Sequence, residues 1–274
     1  MDQKNRSLDI NKYFLLVRRL VYGFINFLYM ILPPLKNNLV VLNYHGIGNN
    51  AYRFDVPEDS FKEQIRYLIS QGYIFISAAQ LEQWLESKNI PNGLYALLTF
   101  DDGNRSVLKI QDFLKENGIK PVFFVLTDSK SADKKVLSPA FEPVTDSELV
   151  NLQRENWEIG AHSATHPYLP NIIDETSLDQ EIFDSKKILE KTLGARTNYF
   201  AYPHGGYSQK VIHKVVEAGF KIAFSTDEDV IYPYTNKFTI PRVGINKTHS
   251  LTEFKAVVTP INLCLKPLIK NFYE

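Results

Sequence analysis

Short apolar runs alternate with amphipathic stretches along the chain from residue 36 onward. The apolar runs are rich in β-branched and aromatic residues, which predicts buried strands. The stretches between them carry apolar residues at helical spacing and often end at glycine, which predicts α-helices. The predicted strands are Leu39–Tyr44, Tyr73–Ile76, Leu94–Phe100, Pro121–Leu126, Trp157–Ala161, Tyr199–Tyr202, Phe220–Phe224 and Phe238–Gly244. The predicted helices are Ser60–Ser70, Ala78–Lys88, Val107–Asn117, Thr145–Asn156, Ser177–Leu193, Ser208–Ala218 and one that begins near Leu251.

This alternation predicts the fold class. Strands that alternate with helices of this length are typical of right-handed βαβ units and a parallel sheet. The strands are apolar throughout, so we expect both faces of the sheet to be covered. About seven or eight such units in one domain favour a closed or nearly closed barrel over an open sheet. The predicted fold is therefore α/β, with its functional residues at the carboxyl ends of the strands.

The N-terminal segment differs from the rest of the chain, because residues 13–35 are mostly apolar and aromatic. Arg18 and Arg19 interrupt this segment, and the uncharged run after them reaches a pair of prolines too soon for the roughly 20 residues of a membrane-spanning helix. Three interpretations stay open: an interfacial membrane helix, an uncleaved signal-like anchor, and a helix packed on the domain's own core. We divide the chain into residues 1–36, an apolar helix with potential peripheral membrane contact, and residues 37–274, the catalytic domain.

Charge and cysteine content narrow the function classes. The chain has 31 basic and 31 acidic residues, so its net charge is zero. A protein that binds nucleic acid by neutralising phosphates normally has a basic excess, and we expect no nucleic-acid partner. The single cysteine, Cys264, excludes an intrachain disulfide and a cysteine-based zinc site. These features favour a cytoplasmic or membrane-peripheral location and leave the cell-envelope side open.

Two adjacent carboxylates, Asp101 and Asp102, follow the predicted strand Leu94–Phe100 directly. Burial of adjacent carboxylates is unfavourable unless a positive group compensates them. One explanation is helix capping, since a predicted helix follows and aspartate is a good N-cap. The other explanation is a cation site at the carboxyl end of the strand.

A histidine pair, His162 and His166, follows the predicted strand Trp157–Ala161 in the same way. Two neutral imidazoles and one carboxylate form a familiar catalytic zinc set that leaves a coordination position open for water. The alternative is a pair of loop histidines that only form hydrogen bonds. The coincidence of this pair with the twin acids favours the metal site.

These motifs resemble the polysaccharide deacetylases of carbohydrate esterase family four, whose catalytic unit is the NodB-like, or nodulation-type, deacetylase domain. The resemblance rests on Thr99-Phe100-Asp101-Asp102-Gly103 and His162-Ser163-x-x-His166, and it covers roughly residues 38–245. A weaker third motif is Tyr202-Pro203-His204-Gly205. This motif and Asn43-Tyr44-His45 are most similar to the subgroup that de-N-acetylates poly-N-acetylglucosamine. The resemblance implies a distorted (β/α) barrel of about seven parallel strands, which agrees with the count above.

The resemblance also implies roles for the site residues. Asp102, His162 and His166 would hold a divalent metal ion, with Zn²⁺ the expected ion. Asp101 would be the general base that takes a proton from the attacking water. The motif Tyr202-Pro203-His204-Gly205 would contact the substrate. The backbone N–H of His204 would stabilise the oxyanion.

The chain departs from the family pattern at two places. Many members carry the donor histidine on a late strand, but His249 follows polar residues here and is expected at the surface. His45 ends the first predicted strand and is the expected general acid, while simple strand-end hydrogen bonding is the alternative. The arginine that orients the base is missing before Pro203, and Arg242, at the end of a late predicted strand, could replace it.

The leading hypothesis is a metal-dependent hydrolase that removes N-acetyl groups from N-acetylhexosamine units of a polysaccharide, an oligosaccharide or a lipid-linked glycan. One alternative is a metal-dependent amide or ester deacetylase that acts on a small substrate other than a glycan. Another is a carbohydrate-binding relic without turnover. The intact set of acids and histidines argues against the relic.

Overall fold

The computed structural model describes residues 20–25, 27 and 37–259. Its centre is a sheet of eight parallel strands. Seven of them are β1 (Asn38–Tyr44), β5 (Leu94–Phe100), β6 (Val122–Val125), β7 (Glu158–Ala161), β8 (Tyr199–Ala201), β9 (Ile222–Phe224) and β10 (Val243–Gly244). These seven lie side by side in the order β10-β1-β5-β6-β7-β8-β9. The eighth, β4 (Ile74–Phe75), pairs with β5. A separate two-stranded sheet joins β2 (Gly46–Ile47) and β3 (Asp55–Val56).

The sheet curls until its two edges meet in one chain segment, residues 240–244. Ile240 forms a parallel bridge with Phe224 of β9, and β10 pairs with β1 on its other side. The predicted distorted barrel of about seven parallel strands is therefore confirmed. The last strand is shorter than the predicted Phe238–Gly244, because Pro241 has no N–H to donate and the N–H of Arg242 bonds to the carbonyl of Asp227 instead.

The predicted helices are present, and two of them are interrupted. Eight α-helices lie in the part of the chain from residue 37 to 259: α1 (Glu58–Ser70), α2 (Ala78–Glu86), α3 (Gln111–Glu116), α4 (Asp146–Arg154), α5 (Glu175–Asp179), α6 (Ser185–Leu193), α7 (Gln209–Glu217) and α8 (Leu251–Val257). The predicted helix Val107–Asn117 is a 3₁₀-helix, Arg105–Ile110, followed by α3. The predicted helix Ser177–Leu193 contains a π-helical turn, Gln180–Asp184, between α5 and α6.

The strands bury alternate side chains in two apolar clusters. In β1, Val40 and Leu42 belong to the large cluster that also contains residues of the surrounding helices. Leu39 and Val41 belong to a smaller cluster with residues of β5, β6, β8 and β9, which fills the barrel interior. Helix α2 contributes Leu81 to the smaller cluster. With both faces packed, the strands present polar groups only where they end.

Part of the apolar N-terminal segment is described. Residues 20–25 and 27 are helical, with Tyr22 and Ile25 buried in the large cluster and Leu20, Phe24 and Phe27 exposed. The rest of residues 1–36 lies outside the described residues. No helix in the described part of the chain has the length and apolar character needed to cross a membrane.

Candidate active site

The sequence-predicted site residues meet at the carboxyl ends of the barrel strands. The ladder hydrogen bonds continue into the site, because the N–H of Asp101 donates to Tyr44 over 2.9 Å and the N–H of His162 donates to Val125 over 2.9 Å. These bonds fix the positions at which the chain leaves the sheet after β5 and after β7. Since all the strands are parallel, residues that are distant in sequence converge at one barrel mouth.

Asp102, His162 and His166 form a compact group. Each offers one ligand atom, and these atoms all lie within 4.8 Å of one another. The Nε2 atoms of His162 and His166 lie 3.5 Å and 3.4 Å from the same Oδ1 of Asp102. All three side chains are buried. This is the set of one carboxylate and two imidazoles that the sequence predicts to hold a metal ion.

Four residues other than glycine reach the site through backbone conformations with positive φ. They are Asp102 at +72°, Ser163 at +66°, His166 at +65° and His204 at +57°. Each such conformation costs roughly 1–3 kcal/mol, and such residues cluster at functional sites. The surrounding fold therefore holds these loops in a geometry that an isolated loop would avoid.

The two histidines are oriented by different means. Nδ1 of His162 lies 2.8 Å from the carbonyl oxygen of Ala201, so this nitrogen carries the proton and Nε2 is left as a ligand. Nδ1 of His166 is buried and has no hydrogen-bond partner among the described residues. Instead, its backbone N–H donates to Oγ of Ser163 over 3.1 Å. His166 is thus held through its backbone rather than through its ring.

The electrostatics of the group suit a divalent cation. Burial raises the pKa of Asp102, but the neighbouring histidines lower it by more, so this carboxylate stays ionised. Burial and the neighbouring His162 lower the pKa of His166 to about 3, which keeps its imidazole neutral. Oδ1 of Asp102 is buried without a hydrogen-bond partner among the described residues. An unpaired buried carboxylate oxygen that faces two ring nitrogens fits the donor set of a metal ion.

Asp101 is paired with Arg242 in the barrel interior. Both guanidinium NH₂ groups donate to its two oxygens over 2.7 Å, and Nε of Arg242 donates to the carbonyl of Ser225 over 2.9 Å. Burial raises the pKa of Asp101, but Arg242, His162 and His45 together lower it by more, and the pKa lies well below its ordinary value. Oδ2 of Asp101 lies 4.0 Å from Nε2 of His162. The structure therefore brings Arg242 to the carboxylate that the sequence predicts as the base.

His45 lies at the wall of a cavity of about 420 Å³ that opens onto the site. Its ring stacks on Phe54 with centroids 4.9 Å apart. His249, the other candidate donor, accepts a hydrogen bond through Nδ1 from the N–H of Asn246 in a local turn and does not line this cavity. The cavity is lined by Asn43, His45, Tyr52, Arg53, Phe54, Asp101, Asp102, Val136, His162, His166, His204, Thr226, Glu228, Gly244 and Asn246.

The four residues of the motif Tyr202-Pro203-His204-Gly205 lie in different surroundings. His204 lines the cavity, with its ring centroid 4.4 Å from that of His166. The ring of Tyr202 is instead fully buried among apolar residues, and its hydroxyl donates to the carbonyl of Phe238 over 2.9 Å. Tyr202 therefore offers the substrate no side-chain surface. Pro203 is buried, and a Cβ at Gly205 would lie 1.9 Å from Oγ1 of Thr226, so only glycine fits there.

Several residues that line the cavity were not predicted from the sequence. Tyr52, Arg53, Phe54 and Glu228 line the cavity, although none of them belongs to a motif. The available signal was the cluster of aromatic and basic residues a few positions after the strand that carries His45. Glu228 lies four residues after the end of β9, and this position at a strand end was the available signal for it.

Comparisons with known proteins agree with this geometry. The model of a family described as polysaccharide deacetylase matches residues 88–223. The putative polysaccharide deacetylase YxkH of Bacillus subtilis is 24% identical over 224 residues, which cover 80% of this chain and 76% of that protein. A poly-beta-1,6-N-acetyl-D-glucosamine N-deacetylase of Staphylococcus aureus is 23% identical over 238 residues, covering 77% of this chain and 80% of that protein.

Solved structures share the fold. IcaB from Ammonifex degensii superposes with a TM-score of 0.72 at 23% identity, covering 82% of this chain and 97% of that chain. The Streptococcus pyogenes deacetylase PplD superposes with a TM-score of 0.68 at 22% identity, covering 83% of this chain and all of the other. The chain belongs to the polysaccharide deacetylase family and is a hydrolase that acts on non-peptide carbon–nitrogen bonds.

Proposed function

We propose that this protein is a metal-dependent hydrolase that removes N-acetyl groups from N-acetylhexosamine units of a glycan. The observation that carries the proposal is the placement of Asp102, His162 and His166 around one point, with the ionised Asp101 beside them. Relatives named as N-deacetylases of poly-beta-1,6-N-acetyl-D-glucosamine support this substrate class.

Asp102, His162 and His166 would hold the ion, for which we propose Zn²⁺. When bound, such an ion supplies Lewis acidity, which polarises an acyl carbonyl and lowers the pKa of a nearby water. His162 presents Nε2 because its Nδ1–H is fixed on Ala201, and the neutral His166 needs no proton removed before it can bind. Asp102 is ionised and His166 is neutral, as a divalent ion requires. Burial lowers the pKa of His162, but Asp101 and Asp102 raise it by more, so an ion at this nitrogen would compete with a proton.

Asp101 is the proposed general base. Because its pKa is depressed, it is ionised throughout the neutral range and can accept the proton of the attacking water. Arg242 occupies both carboxylate oxygens and fixes the plane of the carboxylate. The leaving amine then needs a proton, and His45, which lines the same cavity as Asp101, is the proposed donor. The backbone N–H of His204 is the proposed oxyanion contact.

Replacement of Asp101 by asparagine tests this function. We expect acetate release from acetylated glucosamine oligomers to fall by about 10²–10⁴-fold, the usual contribution of a general base, with Zn²⁺ still bound. Acetate release and bound metal should be measured on the same preparation. The matched control is Asp59→Asn, which alters an exposed carboxylate in the first turn of α1. Metal-dependent acetate release by Asp101→Asn at the wild-type rate would contradict the proposal.

The two alternative functions predict different results with the wild-type protein. A deacetylase of small non-glycan substrates would release acetate from simple amides or esters at least as fast as from glucosamine oligomers. A carbohydrate-binding relic would bind the oligomers without metal and without acetate release. The cavity of about 420 Å³ and its open mouth favour a sugar ring over a bare acetamide group.

For the N-terminal segment we propose peripheral membrane contact. The helical residues 20–25 and 27 expose Leu20, Phe24 and Phe27 on one side while Tyr22 and Ile25 pack on the domain. A helix with one docked face and one exposed aromatic face can lie against a lipid interface without leaving the protein. In the sequence, two arginines directly precede residue 20, and they suit an anionic surface.

We expect the full chain to co-sediment with vesicles of phosphatidylglycerol and phosphatidylcholine. The double variant Phe24→Ser with Phe27→Ser should bind the vesicles at least about tenfold more weakly, because burial of each phenylalanine is worth roughly 1.5–3 kcal/mol. Ile173→Ser is the control, since Ile173 is an exposed apolar residue far along the chain from this helix. Equal sedimentation of the double variant and the wild type would contradict membrane contact.

A further inference from the structure

The loop between the two ligand histidines is anchored by a carboxylate from another element. Oε2 of Glu181 accepts hydrogen bonds from the backbone N–H groups of Ala164 and Thr165, both over 2.9 Å. Its other oxygen, Oε1, accepts the hydroxyl of Thr165 over 2.6 Å. Glu181 is buried, with 9% of its surface exposed. One side chain thus fixes two successive peptide groups between His162 and His166.

Glu181 lies at an irregularity in its helix. It lies in the π-helical turn Gln180–Asp184, which joins α5 to α6. A π-turn adds a residue to the helical repeat and rotates the following side chains, and such turns are frequent at functional sites. The sequence predicted one continuous helix here. The π-turn is a departure from that helix, and contacts in the tertiary structure maintain it.

His166 depends on this anchor more than His162 does. A metal-ligating histidine is usually oriented by a hydrogen bond from its second ring nitrogen, as His162 is by Ala201. Nδ1 of His166 has no such partner within residues 37–259. The position of its ring is therefore set by the backbone of the loop, which has positive φ at Ser163 and His166 and which Glu181 holds from the outside.

We propose that Glu181 is a positioning residue for the metal site: by holding the peptide groups of Ala164 and Thr165, it keeps His166 in the ligand geometry that its unpartnered ring cannot secure. The inference rests on the proposed metal-dependent function. Within residues 37–259 the side-chain hydrogen bonds of Glu181 go to Ala164 and Thr165, so its effect on the ligands passes through the loop. Loss of the anchor should weaken metal binding by allowing the strained loop to relax.

Titration of the metal-free protein with Co²⁺, followed by visible absorption, and competition with Zn²⁺ test this role without an activity readout. Glu181→Ala should lower metal affinity by about 10–100-fold, the usual effect of losing an outer partner of a metal ligand. Glu181→Gln retains an acceptor for both amides and should recover most of that affinity. Thr165→Val removes only the hydroxyl contact and should weaken binding by a few-fold.

A second buried glutamate separates positioning from stability. Glu253, at 1% exposure, accepts the N–H and hydroxyl of Ser250 at the start of α8. Glu253→Ala should lower Tm as Glu181→Ala does, yet leave metal affinity within about twofold of the wild type. If Glu181→Ala lowers Tm and binds Co²⁺ and Zn²⁺ as tightly as the wild type, Glu181 has only a structural role. A wild-type protein that binds neither ion would overturn the proposed function as well.

Discussion

The variant Asp102→Asn is expected to lose metal binding and to release acetate at least about a hundredfold more slowly than the wild type. Asp102 supplies the only carboxylate of the proposed ligand set, and its buried Oδ1 faces both histidine Nε2 atoms. Metal-ion stabilisation of a reacting carbonyl is worth several kcal/mol, and each 1.36 kcal/mol is a factor of ten in rate. An amide oxygen at this position would keep the shape of the site and remove its charge.

Metal-dependent stability gives an independent measurement of the same change. Zn²⁺ at a hundred times its Kd should stabilise the wild-type protein by about 2.7 kcal/mol, seen as a rise in Tm. Asp102→Asn should show almost no rise, whereas Asp101→Asn should keep it, because Asp101 is the base and not a ligand in our proposal. A full Tm increase in Asp102→Asn would show that the ion binds elsewhere.

The second large effect is expected at Arg242. Arg242→Met keeps most of the side-chain volume but leaves the carboxylate of Asp101 buried without its partner. Loss of one partner of a buried ion pair typically costs about 3–5 kcal/mol, and we expect a decrease of this size in the free energy of unfolding of the metal-free protein at neutral pH. Urea unfolding monitored by circular dichroism measures it.

This loss should depend on pH. In the wild type Arg242 lowers the pKa of Asp101, so the contribution of the pair is fully present above the unfolded-state pKa and disappears as the pH falls through the folded-state pKa. In Arg242→Met, burial raises the pKa of Asp101, and protonation then relieves the unpaired charge. The difference between the two proteins should therefore shrink towards acid pH. The acid limb of kcat/KM should move to higher pH.

The double variant Arg242→Met with Asp101→Asn is the control for this argument. It removes both charges, so it should recover much of the stability that Arg242→Met loses. Arg242→Lys keeps the positive charge but lacks the planar pair of donors, and we expect an intermediate stability. Equal unfolding free energies for the wild type and Arg242→Met would mean that the pair contributes no stability and that Asp101 is compensated by another group.

The secondary structure followed closely from local patterns. Ser77 and Thr145 form capping boxes with the residues three positions later, a pattern that is local in the sequence. Gly194 adopts φ of +62° where the helix before it ends. What local patterns could not reveal was the π-turn around Glu181, since that side chain is held by amides sixteen and seventeen positions away. The short pair β2 and β3 carries no periodic signal, because two residues are too few for one.

The sequence alone determined the fold class and the three side chains that we propose as metal ligands. Continuous apolar strands between amphipathic helices require a covered parallel sheet, and parallel strands bring the residues that follow them to one end. Asp102, His162 and His166 each follow a strand by at most five positions, so their convergence required no knowledge of the fold's details.

The sequence offered Arg242 as the partner of Asp101, and the tertiary structure brings the two side chains together. Only the tertiary structure decided which groups line the cavity. Arg242 meets Asp101 across 141 residues because the last chain segment closes the barrel between β9 and β1. Glu228, four positions after the end of β9, lines the cavity wall, while the ring of Tyr202 turns into the core. Successive residues at a strand end point to opposite faces, so the register of distant strands determines which of them reach the cavity, and local sequence does not encode that register.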